Sequence, residues 1–333
     1  MKIIVPMAGI GKRMRPFTFT TPKPLIPIAG KPIVQLLIEE IASVVKEDIE
    51  EIAFIVGHFG EEVENRLLEI AKSFGAKGKI CYQEEALGTA HAIYCAKETL
   101  EGRVLIAYAD TLFKANFNLD ETADSVIFVK TVDNPSAFGV VKVDENNKIT
   151  DFIEKPKDNI SNKAIIGIYY FKEGKQLKNE IEYLIKNNIT VGGEYQLTTA
   201  LENLKNKNLL IKPGKVYEWL DCGNKNATVY TNSKILEFEK DKKLIDDSVK
   251  NDNSIIISPS YIGKDVILKN CIIGPFVSIG EGCNVTNTII KNSIVLSNVN
   301  IENSILNNSL IGNYSQVKSS SKELALGDYS TEL

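Results

Sequence analysis

The stretch KIIVPMAGIGKRMRP, residues 2–16, joins a short apolar run to a glycine-rich, basic loop. The apolar run is typical of a buried strand, and the glycines let the loop backbone turn its N–H groups toward a ligand. Lys12, Arg13 and Arg15 add positive charge. Met14 replaces the third glycine of the dinucleotide-binding fingerprint, and no Gly-Lys-Ser/Thr closes the loop as in a P-loop. Judged by its glycines alone, the loop fits a tight structural turn equally well.

A lysine between two prolines follows this loop. Residues 22–27 read PKPLIP, so that Lys23 lies between Pro22 and Pro24. Prolines restrict the backbone on both sides and lower the entropy lost when the lysine is held in place. Beside a cationic glycine loop, such a lysine is better explained as a phosphate ligand than as a solvated surface charge.

Outward from this stretch, residues 1 to about 225 alternate apolar strands with amphipathic helices. The predicted helices are 32–45, 60–74, 89–97, 174–187 and 196–205, and the predicted early strands are 3–7, 52–56, 79–83 and 104–109. Strands dominate from residue 125 to residue 171. The early alternation predicts a parallel sheet covered on both faces, and in such sheets ligands bind beyond the carboxyl ends of the strands.

The composition changes after a polar helix predicted over 224–243. Residues 254–317 contain few acids and many Asn, Ser, Ile and Val. Aliphatic residues recur at a spacing near six, with Gly or Asn at the turns, although Asn-Ser pairs replace Gly after Val285. A six-residue repeat is typical of a parallel β-helix, here of three or four coils, and it resembles left-handed hexapeptide-repeat domains.

Composition excludes several classes of protein. The 333 residues are 44% hydrophobic and 25% charged with a net charge of −4, so no basic surface for nucleic acid is expected. No apolar run approaches the ~20 residues of a membrane span, and the first residues predict a strand rather than a signal peptide. We therefore expect a cytoplasmic protein without nucleic-acid or membrane partners. The five scattered cysteines are expected to be reduced, mostly buried thiols.

The glycine loop, residues 22–25 and Gly30-Lys31-Pro32 together resemble the sugar-1-phosphate nucleotidyltransferase family. The hexapeptide repeat also occurs in part of that family. The resemblance implies the α/β class, with a Rossmann-like mixed-sheet nucleotidyltransferase domain over 1–240, a linker over 241–253, and a short left-handed β-helix with a tail over 254–333. It implies a nucleoside triphosphate and a sugar-1-phosphate as substrates, with Arg13 and Lys23 as catalytic residues that hold the triphosphate.

The nucleotide site implied by this resemblance comprises Ala8, Gly9, Gly11, Gln83, Gly88 and Thr89. A glutamine amide can donate to O4 of a pyrimidine and accept from N3–H. Gln83 therefore favours UTP or dTTP over GTP, although taken alone it fits an exposed strand residue. Thr89 is also predicted to cap the helix that follows it.

Two aspartates form the implied metal site. Asp110 is predicted at the end of strand 104–109, over the ligand crevice, and Asp221 lies in the segment WLDCG, residues 219–223, which resembles the family's Trp-Leu-Asp-x-Gly. In the family these aspartates share Mg²⁺ with the α-phosphate, and carboxylates suit that cation. Each aspartate alone could be an ordinary surface residue.

The implied sugar-phosphate site comprises Gly139, Glu154, Lys155, Gly167 and Glu194. Glu154 and Lys155 belong to a Glu-Lys-Pro segment, in which the acid accepts from sugar hydroxyls and the lysine binds the phosphate. The two glycines let the sugar approach the backbone. Glu194 is the weaker candidate, because it could instead favour a helix N-terminus. Glucose-1-phosphate is the expected acceptor, and galactose or N-acetylglucosamine phosphates fit the same motifs.

Three alternatives stay open beside this interpretation. The first is a hexapeptide-repeat acyltransferase, an enzyme that commonly uses a histidine base, but His58 and His91 both lie in the first domain. The repeat is therefore expected to be structural. A homo-oligomer is expected, formed through the repeat or through the catalytic domain. A mannose-1-phosphate guanylyltransferase is opposed mainly by Gln83. A non-catalytic regulatory subunit is opposed by the retained charges at Arg13, Lys23, Asp110, Lys155 and Asp221.

Overall fold

The computed structural model describes residues 1–320 except 46, 116–118, 121, 157 and 159. The predicted tail from residue 321 onward lies outside the described residues. The chain forms two compact units. The first comprises Met1–Ile26 and Pro32–Gly223, and the second comprises Pro27–Lys31 and the residues from Asn224 onward. None of the described helices is both long enough and apolar enough to cross a bilayer.

The first unit alternates helices and strands. Its helices are α1 (Ile33–Val44), α2 (Glu61–Ser73), α3 (Thr89–Tyr94), α4 (Gly174–Lys186) and α5 (Leu197–Asn206). The strands up to residue 223 are β1 (Lys2–Pro6), β2 (Pro27–Ile28), β3 (Lys31–Pro32), β4 (Glu51–Val56), β5 (Lys77–Tyr82), β6 (Val104–Ala107), β7 (Thr111–Lys114), β8 (Ser125–Thr131), β9 (Val140–Val143), β10 (Ile149–Ile153), β11 (Lys163–Phe171), β12 (Ile211–Lys215) and β13 (Glu218–Asp221).

The large sheet of the first unit is mixed, which confirms the expected fold class. Its order is β10-β9-β11-β6-β1-β4-β5, and β8 joins β12 to β11. Strands β6, β1, β4 and β5 are parallel, whereas β11 runs antiparallel to β6. Ile3, Ile4 and Val5 are all fully buried, as expected for a strand covered on both faces. Side chains of α3, α4 and α5 share one apolar core with Ile4 and Ile106.

Several predicted element limits are wrong. The helix predicted over 89–97 ends at Tyr94, and the polar helix predicted over 224–243 is Lys225–Phe238. The strand predicted over 104–109 ends at Ala107, because the chain turns there and the N–H of Thr111 donates to the carbonyl of Tyr108 at 3.2 Å. Asp110 therefore lies in a turn beyond the strand.

The second unit contains helix α6 (Lys225–Phe238) and a coiled succession of short strands. The strands are β14 (Lys250–Asp252), β15 (Ile255–Ile256), β16 (Ser260–Ile262), β17 (Ile267–Lys269), β18 (Ile272–Ile273), β19 (Val277–Ile279), β20 (Asn284–Thr286), β21 (Ile289–Lys291), β22 (Ser293–Val295), β23 (Asn300–Glu302), β24 (Ile305–Asn307), β25 (Leu310–Ile311) and β26 (Gln316–Lys318). The first of these falls within the segment 241–253 predicted as a linker, and the predicted domain limits stay a prediction.

These strands stack into three parallel sheets, as in a β-helix. The sheets are β14-β17-β20-β23-β26, β15-β18-β21-β24 and β16-β19-β22-β25. In the first sheet, register partners follow at intervals of 17 residues and then 16, from Lys250 to Ile267, Asn284, Asn300 and Gln316. The shorter interval accommodates the change of sequence after Val285, so the coils continue through the region predicted to be irregular.

Stacked asparagines explain the unusual composition of this unit. Asn253, Asn270, Asn287 and Asn303 all have positive φ, between 50° and 54°, a conformation that asparagine tolerates better than most residues. The side-chain amides of the first three donate to the next asparagine in the column, at distances of 2.9, 3.2 and 3.1 Å. The column therefore forms one corner of the β-helix and satisfies its own polar groups.

The hairpin formed by β2 and β3 is held firmly inside the second unit. Its two loop residues, Ala29 and Gly30, have φ of +48° and +81°. The buried side-chain oxygen of Asn232 accepts from the N–H of Ala29 at 3.0 Å and from the hydroxyl of Ser278 at 2.6 Å. A Cβ atom on Gly30 would overlap the ring of Tyr261. The glycine of the predicted Gly-Lys-Pro motif thus has a packing role.

Replacing Gly30 with alanine is expected to destabilise the protein. The positive φ alone costs an L-residue roughly 1–2 kcal/mol, and displacement of the Tyr261 ring adds to this. Thermal and urea denaturation of Gly30→Ala should show a lower free energy of unfolding. Gly75→Ala provides the control, since Gly75 also has a positive φ of 72° but no described atom within 4 Å. Equal losses in both variants would contradict a packing role for Gly30.

Candidate active site

Residues that follow three parallel strands meet at one cavity of about 290 Å³. Met7 follows β1, Gln83 follows β5, and Asp110 lies beyond the end of β6. The cavity therefore lies at the carboxyl ends of the strands, where ligands of such sheets bind. Nine of the predicted site residues line it: Ala8, Gly9, Gly11, Lys23, Gln83, Gly88, Thr89, Asp110 and Glu194.

The glycine loop bends back against the lysine that follows it. Gly11 has φ +65° and precedes a single turn of 3-10 helix over Lys12–Met14. The hydroxyl of Thr18 donates to the carbonyl of Gly11 at 2.9 Å, and a Cβ on Gly11 would lie 3.0 Å from Thr18 Cγ2 and 3.3 Å from Lys23 Cβ. Gly11 is thus needed both for its backbone conformation and for close packing of the loop.

Gly9 differs from Gly11 because the loop does not need a glycine at this position in order to fold. A Cβ at Gly9 would meet no described atom within 4 Å, and the residue lines the cavity. We expect Gly9→Ala to leave the free energy of unfolding unchanged within about 0.5 kcal/mol. The added methyl group would instead stand where a triphosphate approaches the loop backbone, and the KM for the nucleotide should rise about tenfold. Steady-state kinetics with a thermal melt measure both effects, and an unchanged KM would contradict this role.

Lys23 reaches across the cavity to Asp110. It begins a turn of 3-10 helix, Lys23–Leu25, immediately after Pro22. Its Nζ donates to Asp110 Oδ2 at 2.8 Å, and only 12% of its side chain is exposed. The ion pair fixes one cation and one carboxylate at the cavity wall, in agreement with the prediction that Lys23 is held in place.

Asp221 and Arg13 lie close to this pair. Strand β13 pairs with β7 so that Asp221 is opposite Thr111, and the N–H of Cys222 donates to the carbonyl of Asp110 at 3.0 Å. A Cβ on Gly223 would lie 2.9 Å from both Arg13 Nη2 and Asp221 Oδ1. The small residue therefore leaves room for the guanidinium and the carboxylate on the same side of the chain.

The electrostatics of Asp221 follow from this environment. Desolvation by the surrounding protein is the largest effect and raises its pKa, although the side chain remains open to solvent on one side. The N–H of Gly223 donates to Asp221 Oδ1 at 2.9 Å and opposes the rise. The charge of Asp110 raises the pKa further, whereas Arg13 and Lys23 lower it. Asp221 is thus a carboxylate whose charged form is less favourable in the folded protein than in water.

The two aspartates offer carboxylate oxygens of the kind that a divalent metal ion binds. Among the described residues, no group of three or more His, Cys, Asp or Glu side chains could hold a metal. Mg²⁺ usually takes one or two carboxylates together with waters and substrate phosphates. Asp110 acts on the pKa of Asp221, so the carboxylates are close enough to repel. This donor set would be completed by phosphate oxygens rather than by further protein ligands.

Gly88 and Thr89, which line the cavity, contact the residues at the start of helix α5. Gly88 has φ +117°, and a Cβ there would lie 2.5 Å from the carbonyl oxygen of Tyr195. The Thr89 hydroxyl accepts from the N–H of Leu197 at 2.9 Å and donates to Gln196 at 3.2 Å. The prediction that Thr89 caps its own helix is wrong, because its hydroxyl is committed to the first residue of α5 instead.

Gln83 carries its amide into the cavity beside His91. Its backbone N–H donates to the carbonyl of Val56 at 2.9 Å and fixes the residue at the sheet edge. Its Nε2 lies 3.5 Å from His91 Nδ1. Desolvation lowers the pKa of His91 despite the nearby Glu85, so the imidazole is neutral at physiological pH.

Three of the predicted sugar-phosphate residues, Gly139, Glu154 and Lys155, form a cluster around the Glu154 carboxylate. The Thr198 hydroxyl donates to Glu154 Oε2 at 3.4 Å, and a Cβ on Gly139 would lie 3.1 Å from the same oxygen. Lys155 has φ +42°, and its Nζ lies 3.9 Å from Glu154 Oε1. Thr198 is a neighbour that sequence analysis missed, because it stands in an ordinary helical pattern. Glu194 lies apart from this cluster, at the nucleotide cavity.

Gly167 and Tyr108 lie between the two groups of residues. Gly167 has φ +82° at an irregularity in the pairing of β11 with β8, and a Cβ there would lie 3.4 Å from Tyr108. Tyr108 lines the cavity, and its hydroxyl is buried close to Thr89. Burial raises the pKa of Tyr108 well above its usual range. Sequence analysis missed this residue, although its position two before Asp110 was a usable signal.

No disulfide joins the five cysteines, all of which belong to the described residues. Cys81, Cys222, Cys271 and Cys283 are buried and Cys95 is partly buried, in agreement with the expectation of reduced, mostly buried thiols. Burial raises the pKa of Cys81, Cys95 and Cys283, which keeps these thiols protonated.

Proteins similar to this chain include two whose names state a nucleotidyltransferase or a thymidylyltransferase. The low-salt glycan biosynthesis nucleotidyltransferase Agl11 of Haloferax volcanii is 29% identical over 89% of this chain and 87% of its own length. The glucose-1-phosphate thymidylyltransferase of Streptomyces antibioticus is 28% identical over 99% of this chain and 98% of its own length. The bifunctional protein GlmU of Methanococcus maripaludis is 33% identical over 79% of this chain, which spans 62% of the length of GlmU.

Solved structures share the fold. UDP-glucose pyrophosphorylase complexed with UDP-glucose matches with a TM-score of 0.57 and 23% identity, over 71% of this chain and 98% of that chain. The profile of the nucleotidyl transferase family matches residues 2–237, which is well over half of the sequence. The predicted resemblance is therefore confirmed, and this chain belongs to the nucleotidyl transferase family.

Proposed function

We propose that this protein transfers a nucleotidyl group from dTTP or UTP to glucose-1-phosphate, forming a nucleotide sugar and pyrophosphate with Mg²⁺. The observation that carries the proposal is the convergence of the glycine loop, Lys23, Gln83 and Asp110 on one cavity. The Streptomyces antibioticus relative, whose name gives glucose-1-phosphate and a thymidylyl group, supports the same substrates over the full chain.

The reaction requires alignment and charge screening rather than a general base. The phosphate oxygen of a sugar-1-phosphate is already an anion at neutral pH, and it attacks the α-phosphorus in line as pyrophosphate leaves. Lys23 and Arg13 offset the repulsion between the two polyanions and the charge that develops on the α-phosphate. Mg²⁺ held by Asp110 and Asp221 would supply further screening of the phosphate oxygens.

The sugar-phosphate is assigned to the cluster around Glu154. Glu154 Oε2 accepts from Thr198 and Oε1 lies 3.9 Å from Lys155 Nζ, and a carboxylate with these two neighbours has further capacity to accept from sugar hydroxyls. The exposed ammonium of Lys155 is suited to the phosphate. A non-catalytic subunit would not need the five charged residues Arg13, Lys23, Asp110, Asp221 and Lys155. The first four lie together and Lys155 lies beside Glu154, which favours an enzyme.

Gln83 is proposed to select a pyrimidine base. Neutral His91 can accept a long hydrogen bond from one N–H of the Gln83 amide. That arrangement leaves the amide oxygen free to accept from N3–H of uracil or thymine, and the second amide proton free for O4. A guanine base offers a different pattern of donors and acceptors at the same position.

The test is the ratio of kcat/KM values for the four nucleoside triphosphates with glucose-1-phosphate. We expect a preference of about 10²-fold or more for UTP or dTTP in the wild type. Gln83→Glu should lose most of this preference, because a carboxylate cannot donate to O4. A preference for GTP with mannose-1-phosphate would overturn the base assignment while keeping the reaction class.

The proposed location is the cytoplasm, where nucleoside triphosphates and sugar phosphates are available to an enzyme of this class. The Mg²⁺ dependence, the location and the sugar are all parts of the proposal. The residues Gly139, Gly167 and Glu194 are proposed to contact the sugar, the glycines through their half-buried backbone.

A further inference from the structure

A chain of three hydrogen bonds runs from the start of α5 to the nucleotide cavity. The N–H of Leu197 donates to the Thr89 hydroxyl at 2.9 Å, and that hydroxyl donates to Gln196 Oε1 at 3.2 Å. Gln196 Nε2 then donates to Glu194 Oε2 at 2.9 Å. Thr89 and Glu194 both line the cavity, and the half-buried Gln196 links them. The amide of Gln196 therefore bridges two residues of the cavity wall.

The direction of this chain is fixed at its buried end. The backbone N–H of Leu197 can only donate, so the Thr89 hydroxyl accepts from it and has its own proton to give. A carboxylate such as that of Glu194 accepts hydrogen bonds and cannot donate them. The amide of Gln196 satisfies both neighbours only when its oxygen faces Thr89 and its N–H faces Glu194. Gln196 thus presents a donor to Glu194 at a defined place.

The backbone of the segment that carries these residues is clamped to the cavity wall. The N–H of Tyr195 donates to the carbonyl of Leu87 at 2.8 Å, and the N–H of Ala90 donates to the carbonyl of Tyr195 at 2.9 Å. A Cβ on Gly88 would lie 2.5 Å from that carbonyl oxygen and 3.0 Å from Glu194 Cβ, so only a glycine permits this close approach. With the backbone fixed, the direction of the Glu194 side chain is what remains to be set.

The Glu194 side chain is exposed and needs a partner in order to keep one direction. Gly192 and Gly193, with φ of +64° and +82°, form the turn before it and bring no side chain that could brace it. A free glutamate samples many rotamers, and this freedom is lost when the side chain binds a substrate. The hydrogen bond from Gln196 restricts the carboxylate before a substrate arrives, which lowers that entropic cost of binding.

We propose that Gln196 is a positioning residue, which aims the Glu194 carboxylate at a hydroxyl group of the sugar-1-phosphate. This inference rests on the proposed function, in which Glu194 contacts the sugar. Gln196 acts through Glu194 and does not itself touch the substrate. Because the same amide is bound to Thr89 on the nucleotide side of the cavity, the acceptor sugar is held in a fixed place relative to the nucleotide that it attacks.

Gln196→Glu separates positioning from a structural role. The new carboxylate can still accept from the Thr89 hydroxyl, but it replaces a donor with a negative charge 2.9 Å from Glu194. Repulsion then turns the Glu194 carboxylate away from the sugar. We expect the KM for the preferred sugar-1-phosphate to rise about tenfold or more, and the KM for the triphosphate to change less than about twofold. Gln176→Glu is the matched control, since Gln176 is an exposed glutamine on α4. Thermal melts verify that each variant is folded.

Glu194→Gln supplies a second background and closes a double-mutant cycle. In Glu194→Gln/Gln196→Glu the donor and the acceptor are exchanged, so the hydrogen bond between the two side chains reforms without repulsion. We expect Gln196→Glu to raise the KM for the sugar-1-phosphate less than about threefold in this background. A rise by the same factor in both backgrounds would overturn the proposal, because Gln196 would then act independently of Glu194.

The remaining outcomes separate this inference from the proposed function. A wild type that turns over while Gln196→Glu leaves the KM for the sugar-1-phosphate unchanged would overturn the inference alone. Equal rises in the KM of the sugar-1-phosphate and of the triphosphate would do the same, since they would indicate a structural role. Folded wild-type protein without turnover on any pair of substrates would overturn the proposed function and, with it, the role of Gln196.

Discussion

Lys23→Met is expected to lower kcat for nucleotidyl transfer by roughly 10²- to 10³-fold. The ammonium of Lys23 is held at the cavity wall by Asp110 at 2.8 Å, and its side chain is 12% exposed, so the charge acts where water is scarce. Removing it withdraws the screening of the α-phosphate that the transition state needs most. The methionine keeps the apolar stem, so the loop should retain its fold.

Lys12→Met is the matched control for this variant. Lys12 belongs to the same basic loop, but its side chain is exposed and it is not among the described residues that line the cavity. Its replacement should change kcat less than about threefold. Steady-state kinetics at saturating Mg²⁺ and triphosphate measure both variants. Similar losses in the two would mean that Lys23 contributes only to the general positive charge of the loop.

Asp221→Asn is expected to reduce kcat by a similar factor, roughly 10²-fold or more, and to raise the Mg²⁺ concentration needed for half-maximal rate. The amide keeps an oxygen that can accept from the N–H of Gly223 but loses the negative charge. A titration of rate against Mg²⁺ at fixed triphosphate measures this effect. Glu218→Gln, at the other end of the same strand, should leave the Mg²⁺ dependence unchanged.

The Asp221→Asn variant, although less active, should not lose stability. The pKa of Asp221 is raised in the folded protein, so the folded state binds its proton more tightly than the unfolded state does. The charged form therefore opposes folding, and stability falls as pH rises from the ordinary aspartate pKa through the raised one. At neutral pH, without Mg²⁺, Asp221→Asn should be as stable as the wild type or more so. A less stable variant would indicate a structural role and would contradict the metal assignment.

The pattern of the first 110 residues predicted the fold and where several candidate site residues lie, because these features depend on residues that are close in the sequence. Apolar runs separated by amphipathic helices gave the parallel part of the sheet, and the rule that ligands bind at the carboxyl ends of strands placed Gln83 and Asp110 on one cavity. Glycine and proline positions in the loop predicted where Lys23 would be held. These features depend on neighbours in the sequence.

Features that depend on distant contacts were not predictable in this way. Thr89 was expected to cap its own helix, yet it bonds to Leu197, more than a hundred residues along the chain. The close approach of the Tyr195 backbone to Gly88 has the same origin. The hairpin at Pro27–Lys31 belongs to the second unit through Asn232 and Tyr261, and no pattern near residue 27 announces those partners.

The β-helix illustrates a third situation, in which the repeat was visible but its outward faces were not separable. The spacing near six identified the inward aliphatic residues correctly. It did not predict that Ile267 belongs to the sheet of β14 and β17, whereas Ile289 belongs to the sheet of β15 and β18. That difference depends on the register of the coils in three dimensions. Residues that stack in successive coils are 17 residues apart in one step and 16 in the next, and the six-residue spacing does not reveal these intervals.

The most direct test of the account is pyrophosphate release by the wild-type protein with Mg²⁺, crossing each nucleoside triphosphate with glucose-, galactose-, mannose- and N-acetylglucosamine-1-phosphate. We predict pyrophosphate and a nucleotide sugar in equal amounts, with UTP or dTTP and glucose-1-phosphate as the preferred pair, and no release without a sugar-phosphate. Folded protein that releases no pyrophosphate with any pair, or that releases it without a sugar-phosphate, would contradict nucleotidyl transfer to a sugar.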